Sequence, residues 1–372
     1  MKQISTIIRK PLYIRKPYAR YYSSSPKIPV IDLNDIPFPL KSSPQISRVA
    51  QELHNACSTF GFFYLTGHGI STQVQDDLVS QSKKFFQLPE KEKMALRLSS
   101  GGLAWRGYMP LYGEQTHGKP DMKEGLYLGP EHPDDHPKVK SSTPIHGKNQ
   151  FPDSLPGLRP AALKYMDQVT QVGQNLMQVM SVSLGLDPQY IYDHLTQDPI
   201  IIFRLWNYLP SPQKKAVGID EHTDYGLITI LKQDAPGLQF HSPKYGWIDV
   251  PVVPNTLVCS VGDLLDRITA GRYKSRAHRV LVTEPRLSFP CFFDPRWEAP
   301  VKELPLDHLP LGDVEDVQAR WEKTAYKTLT GNYWQYLAKK LSKVIPQLKD
   351  YKFDAARESS TRFHIKIDEN KK

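Results

Sequence analysis

No segment of this 372-residue chain approaches the roughly 18 consecutive apolar residues that a membrane span requires. The longest apolar runs, such as Ile200 to Phe203, are strand-sized. The chain therefore reads as soluble, with no membrane partner. Cysteine is scarce: Cys57, Cys259 and Cys291 are three in number and lack C-x-x-C spacing. That excludes a disulfide framework and a zinc site built on sulfur, and leaves each cysteine as a small core residue. A His-Glu-x-x-His helix is also missing, which argues against a zinc hydrolase. Acidic residues are absent from the first 31 positions, where Lys2, Arg9, Lys10, Arg15, Lys16, Arg20 and Lys27 stand.

That last absence explains the net charge. Those residues are 7 of the 48 basic ones, leaving 41 against 39 acidic, or about +2 on the remainder instead of the formal +9. So nearly neutral a body offers no broad phosphate-tracking surface, and no nucleic-acid partner is expected. The N-terminus itself is basic and rich in Tyr and Ser, with Ile4, Ile7 and Ile8 at helical spacing. It lacks the 7–15-residue apolar stretch of a secretory signal. Its composition resembles a mitochondrial presequence, with Arg20-Tyr21-Tyr22-Ser23 as a matrix-processing site. A matrix location is thus expected, with a disordered extension on a cytoplasmic protein as the alternative.

Along the body, Ile28-Pro-Val-Ile-Asp-Leu33 reads as an edge strand, residues 46–59 as a helix, Gly61–Leu65 as a buried strand and 71–95 as a helical region. Residues 99–158 are dense in Gly, Pro, His and Asp, which predicts long loops. Leu163, Met166, Val169, Val172, Leu176, Val179 and Met180 recur at spacings of three and four, marking an amphipathic helix over 160–186. Then the period changes. Ile200–Tyr208, Leu227–Leu231, Leu238–His241, Trp247–Val250, Leu257–Val261, His278–Val282 and Leu287–Phe293 are short strand-like runs, the pattern of a sandwich or barrel. A last helix is expected between Val314 and Leu341.

Two stretches of the β-rich part carry chemistry. In an extended strand residues i and i+2 share a face, so His222-Thr-Asp224 presents an imidazole beside a carboxylate. With His278, at the start of a later strand, they supply two His and one carboxylate and leave adjacent metal positions open. H-x-D alone is weak, and His132-Pro-Asp134 repeats it inside a charged loop where it reads as a solvated turn. Eight residues beyond His278, Arg286 and Ser288 share the face opposite Leu287 and Phe289. Thr283-Glu-Pro285 would close the two strands into a hairpin. An inward guanidinium needs an anion, and its planar fork suits a carboxylate.

His222-Thr-Asp224-Tyr-Gly-Leu-Ile-Thr, Pro236-Gly-Leu-Gln239, Val261-Gly-Asp-Leu264, Gly271-Arg-Tyr-Lys-Ser275, His278-Arg-Val280 and Arg286-Leu-Ser288 follow one another as in the iron(II)/2-oxoglutarate dioxygenases, isopenicillin N synthase-like subgroup. The resemblance covers roughly residues 27 to 345 and reaches Gly61-Phe-Phe-Tyr-Leu-Thr-Gly-His-Gly-Ile70. It implies a mainly β fold with flanking helices around a double-stranded β-helix, or jelly-roll, core. His222, Asp224 and His278 match the iron ligands, and Arg286 and Ser288 match the pair that grips the far carboxylate of 2-oxoglutarate. Tyr208 falls where members carry a co-substrate-binding Tyr, although the usual Tyr-Pro is here Tyr-Leu-Pro. The implied needs are Fe(II), 2-oxoglutarate and O2. The implied reaction is hydroxylation, desaturation or ring closure of a small molecule, with release of succinate and CO2. A 2-oxoglutarate-independent oxidase of the same fold, or a metal-binding homologue without catalysis, remains open. The layout expected is an N-terminal extension at 1–26, an N-terminal dioxygenase region at 27–150, a long helix and connection at 151–197, the core at 198–298, and a C-terminal helix and tail at 299–372. Trp105-Arg-Gly-Tyr108 and Lys123–Gly129 read as lid elements, with Arg106 and Tyr108 as candidate substrate contacts.

Overall fold

The computed structural model describes residues 26–40, 43–209, 216–311, 314–322 and 330–337. The expected presequence, the tail after Tyr351 and part of the expected C-terminal helix lie outside the described residues. In chain order the elements are β1 (Val30–Asp32), α1 (Pro44–Thr59), β2 (Phe62–Thr66), α2 (Thr72–Phe86), α3 (Glu90–Ala95), β3 (Gly107–Met109), β4 (Gln115–Thr116), β5 (Lys119–Pro120), β6 (Lys123–Leu128), α4 (Pro137–Lys140), α5 (Leu158–Ser183), β7 (Ile200–Tyr208), β8 (Ala216–His222), β9 (Ile228–Gln233), β10 (Leu238–Ser242), β11 (Gly246–Asp249), β12 (Leu257–Val261), α6 (Asp263–Ile268), β13 (His278–Val282), β14 (Arg286–Asp294) and α7 (Val314–Trp321).

The local rules are visible in the helices. α1 starts where the Ser43 hydroxyl accepts the Ile46 N–H at 3.3 Å, with Pro44 in the first turn. A proline costs nothing there because its missing N–H would have no partner. α1 buries Ile46, Val49, Ala50, Leu53 and Cys57 on one face. α5 carries the predicted stripe and lies on the major sheet, where a Cβ on Gly173 would run into the Phe293 ring.

The strands make an eight-stranded sheet in the order β1-β2-β12-β9-β14-β7-β6-β3 and a four-stranded sheet in the order β11-β10-β13-β8. The helices pack on one face of the larger sheet through a core that includes Leu53, Leu78, Leu176, Phe203, Phe289 and Phe293. Its other face meets the smaller sheet through a second core that includes Phe62, Tyr208, Ile219, Phe240 and Val280. This is the mainly β, helix-flanked double-stranded β-helix that the motifs imply. β14 shows how one strand serves both cores. Leu287, Phe289, Cys291 and Phe293 face the helices, while Arg286, Ser288, Pro290 and Phe292 face the barrel interior. At about 25 cal/mol per Å2 of apolar area, each buried Phe on the helix side contributes roughly 2 kcal/mol.

Three expectations need correction. Residues 99–158 are not all loop: β6 is buried along its whole length and pairs with β7. Its charges obscured it, and they are neutralised in place, Lys123 by Glu114 and Asp121 and Glu124 by Lys93. β6 is therefore part of the major sheet and not of a lid. Second, β13 and β14 form no hairpin. β13 lies between β10 and β8, whereas both edges of β14 are occupied by β7 and β9, so the short link carries the chain from one sheet to the other. Third, Arg106 and Tyr108 belong to the scaffold. Arg106 donates to the Ile145 carbonyl at 2.8 Å, and the Tyr108 hydroxyl donates to Glu124 at 2.5 Å. Neither lines the interior cavity.

Candidate active site

His222 closes β8 and His278 opens β13, and the two are paired across the small sheet. Their ring centroids are 4.2 Å apart. Each Nδ1 lies against a main-chain carbonyl, Asp220 at 2.8 Å and Arg276 at 3.2 Å. A carbonyl only accepts, so Nδ1 carries the proton and Nε2 keeps its lone pair. Both Nε2 atoms face Asp224 Oδ1, at 4.0 Å from His222 and 3.6 Å from His278. One ligand atom from each of the three residues lies within 4.8 Å of the others, and no second group of this kind occurs among the described residues.

Asp224 is not in the strand, contrary to the expectation that it shares a β face with His222. β8 ends at His222, and the backbone turns because the Asp224 carbonyl accepts the Asp263 N–H at 2.7 Å instead of a ladder partner. The pairing of imidazole and carboxylate survives the turn. Asp224 Oδ2 is occupied by the Thr229 hydroxyl at 2.6 Å and the Ser260 hydroxyl at 3.2 Å, which leaves Oδ1 toward the imidazoles. Burial favours the neutral carboxyl, but His278 and His222 in their protonated forms, together with those two hydroxyl groups, hold it below the usual carboxylate range. Two neutral nitrogens and one ionised oxygen on one side of a cavity suit Fe(II) and leave room for further ligands.

Thr229, Ser260 and Asp263 went unassigned in the sequence, although Asp263 stands inside the quoted Val261-Gly-Asp-Leu264 motif. Its carboxylate accepts from the Thr223 hydroxyl at 3.0 Å and from the Ser275 hydroxyl at 2.7 Å. Thr223 lies between two site residues and Ser275 three before the third, so one buried carboxylate ties together the segments that must converge. Asp263→Ala is expected to weaken Fe(II) binding about 10- to 100-fold, the range for supporting partners of metal ligands. Competition with a ferrous chelator measures this, and an unchanged affinity would remove Asp263 from the account.

Farther along the barrel, Arg286 is 2% exposed. Its Nε donates to the Ala235 carbonyl at 3.2 Å and its Nη2 to Gln233 at 3.0 Å. Nη1 and the Tyr208 hydroxyl are buried without a hydrogen-bond partner, and the guanidinium lies 4.9 Å from the Tyr208 ring centroid. Burial raises the Tyr208 phenol above its ordinary value, more than nearby Arg286, Lys123 and Ser288 lower it, so it remains a donor. Burial likewise pulls the Arg286 guanidinium down, and no carboxylate lies within 4.0 Å of it among the described residues. A buried cation with an idle donor, next to a second idle donor, fits an absent carboxylate.

All six residues proposed from the sequence line one cavity. Its walls include His222, Asp224 and His278 at one end and Tyr208, Arg286 and Ser288 at the other, and it is partly open to solvent. His132 and Asp134 stay in their loop: His132 packs on His136 and His146, and Asp134 pairs with Lys148. His68 accepts the Ile70 N–H at 3.1 Å as a loop residue. All three cysteines are buried and free. No described helix is long and apolar enough to cross a membrane.

The chain is similar to known proteins over most of its length. Residues 28–154 match the model of the non-haem dioxygenase in morphine synthesis N-terminal region, and residues 197–295 match that of the 2OG-Fe(II) oxygenase superfamily. A Dictyostelium discoideum protein named "Probable iron/ascorbate oxidoreductase" is 40% identical over 353 residues, covering 87% of this chain and 96% of its own length. A 1-aminocyclopropane-1-carboxylate oxidase of the same organism is 30% identical over 362 residues, covering 86% and 95%. A Neurospora crassa protein crystallised with α-ketoglutarate (2-oxoglutarate) and 5-formyluracil superposes with a TM-score of 0.68 at 26% identity, covering 85% of this chain and 96% of that one.

Proposed function

Because the chain belongs to the 2OG-Fe(II) oxygenase superfamily, we propose that His222, Asp224 and His278 hold its Fe(II) and that Arg286, Ser288 and Tyr208 hold 2-oxoglutarate. The protein is an Fe(II)- and 2-oxoglutarate-dependent oxidoreductase acting on a small molecule with O2. The assignment rests on one observation above others: the only described His/Asp group able to share a metal ion lies in the same cavity as a buried arginine with a donor to spare.

When bound, the iron couples oxidative decarboxylation of 2-oxoglutarate, giving succinate and CO2, to oxidation of the substrate. The protein's own part is orientation. The Asp220 and Arg276 carbonyls keep the Nδ1 protons in place, so both imidazoles present Nε2 to the ion. Thr229 and Ser260 hold Asp224 with one oxygen toward the ion. Arg286, with Ser288 beside it, fixes the far carboxylate, and the Tyr208 hydroxyl donates to the same end. Phe62, Leu231, Val258 and Val280 line the wall and keep water from the reacting end. Substrate-stimulated O2 uptake tests the reading. It must require added 2-oxoglutarate and release one succinate per turnover, whereas uptake indifferent to 2-oxoglutarate would favour the oxidase alternative.

For location, we propose the mitochondrial matrix, on the basic, acid-free composition of residues 1–31 alone. A C-terminally tagged chain should co-localise with a matrix marker and lose that pattern without residues 1–26. Diffuse cytoplasmic signal from the full chain would contradict it.

A further inference from the structure

β9 serves both ends of the cavity. Thr229 and Leu231 line it, and Gln233, next along the same face, is 7% exposed and paired with Ser288 of β14. At about 3.3 Å per residue, Thr229 and Gln233 stand roughly 13 Å apart along the strand. The first bonds to Asp224 at the metal end, and the second to Arg286 at the far end.

Two partners of opposite kind hold the Gln233 amide. Its oxygen accepts from Arg286 Nη2 at 3.0 Å, and its nitrogen donates to the Val250 carbonyl at 3.0 Å. A guanidinium only donates and a carbonyl only accepts, so the amide has one orientation. Both acceptors on the Arg286 guanidinium are therefore neutral, this amide oxygen and the Ala235 carbonyl. Asp234, next in the chain, is exposed and engages the Leu287 N–H at 2.7 Å, so water screens its charge from the buried guanidinium. An arginine buried this deeply is ordinarily paired with a carboxylate. Here the side chain that reaches Nη2 is an amide of the same shape, which bonds to the cation without neutralising it.

We infer that Gln233 is a positioning residue and a specificity determinant: it fixes Arg286 through a neutral oxygen and so reserves the charge for a dicarboxylate 2-oxo acid over a monocarboxylate one. The assignment rests on the proposed function, which takes the Arg286 end to receive the far carboxylate of 2-oxoglutarate. A glutamate in place of Gln233 would supply the anion from within the wall. An incoming carboxylate would then meet a neutralised pair and a like charge. The same glutamate would also face the Val250 carbonyl with no proton to donate.

The test is anaerobic titration of the full, Fe(II)-loaded chain with 2-oxoglutarate and with 2-oxopentanoate. The second has the same carbon chain and chelating end, with a methyl group in place of the far carboxylate. The wild type should bind 2-oxoglutarate at least about 30-fold tighter, as for a buried charge pair that loses one partner. Gln233→Glu should bring that ratio within about threefold, while 2-oxopentanoate and Fe(II) each bind within about threefold of the wild type. Gln233→Met, uncharged and of similar length, loses one hydrogen bond and should keep a ratio of about tenfold. A wild-type ratio in Gln233→Glu, equal weakening of both oxo acids, or a ratio near one in Gln233→Met would overturn the inference. Should Gln233→Glu fail to bind Fe(II), the Gln233→Met ratio decides in the same way. If the wild type itself binds both oxo acids alike, the clamp reading beneath the inference is what fails.

Discussion

Replacing His222 with alanine is expected to abolish stoichiometric Fe(II) binding and 2-oxoglutarate turnover while leaving the fold intact. The side chain is about a quarter exposed at the end of β8 and belongs to neither apolar core. Removing it therefore costs little packing, within the ±0.5 kcal/mol usual for such positions. It does remove one of three donors whose ligand atoms lie within 4.8 Å of one another. Loss of a supporting partner alone costs 10- to 100-fold in metal affinity, so loss of the ligand should exceed about 100-fold. The checks are iron content after desalting, succinate release, and a melting curve to confirm folding. Succinate formation at the wild-type rate from a folded variant would refute the ligand assignment.

Arg286→Ala should separate the co-substrate from the metal. Two of its nitrogens already bond to Ala235 and Gln233, and these contacts fix the third to face the cavity beside Tyr208. Truncating one partner of a buried charge pair costs 2–5 kcal/mol, so the dissociation constant of 2-oxoglutarate should rise by at least about 30-fold. Fe(II) affinity should change by less than about threefold, because Arg286 touches none of the three metal-site residues. Arg286→Lys should fall between, since it keeps the charge and loses the fork. Equal weakening of metal and co-substrate would show that the substitution disturbs the barrel and not one contact. No weakening of either would move the co-substrate elsewhere and revive the oxidase alternative.

The sequence disclosed the site more fully than the path of the chain around it. Period-2 alternation in Arg286–Phe293 was enough to put Arg286 and Ser288 on the interior face, and β14 has that parity. His222 and Asp224 do converge, but through a turn held by Asp263, because backbone hydrogen bonds to α6 are invisible to a rule about strand faces. The hairpin between β13 and β14 failed for a related reason. Link length says how far two strands can separate, and the competition of β7 and β9 for both edges of β14 is a tertiary fact. β6 was hidden because Lys123 and Glu124 read as solvent-facing, whereas the first is paired with Asp121 and Glu114 in the segment leading into the strand and the second with Lys93 of α3.

The central claim is that one ferrous ion and one molecule of 2-oxoglutarate share this cavity. Anaerobic titration of the full chain with Fe(II) and then 2-oxoglutarate, followed by visible absorbance, tests it most directly. A charge-transfer band that saturates at one iron and one 2-oxoglutarate per chain, and that is absent from His222→Ala, is the predicted result. A wild-type protein that binds the iron and develops no band with 2-oxoglutarate, or a His222→Ala variant with the full band, would contradict it.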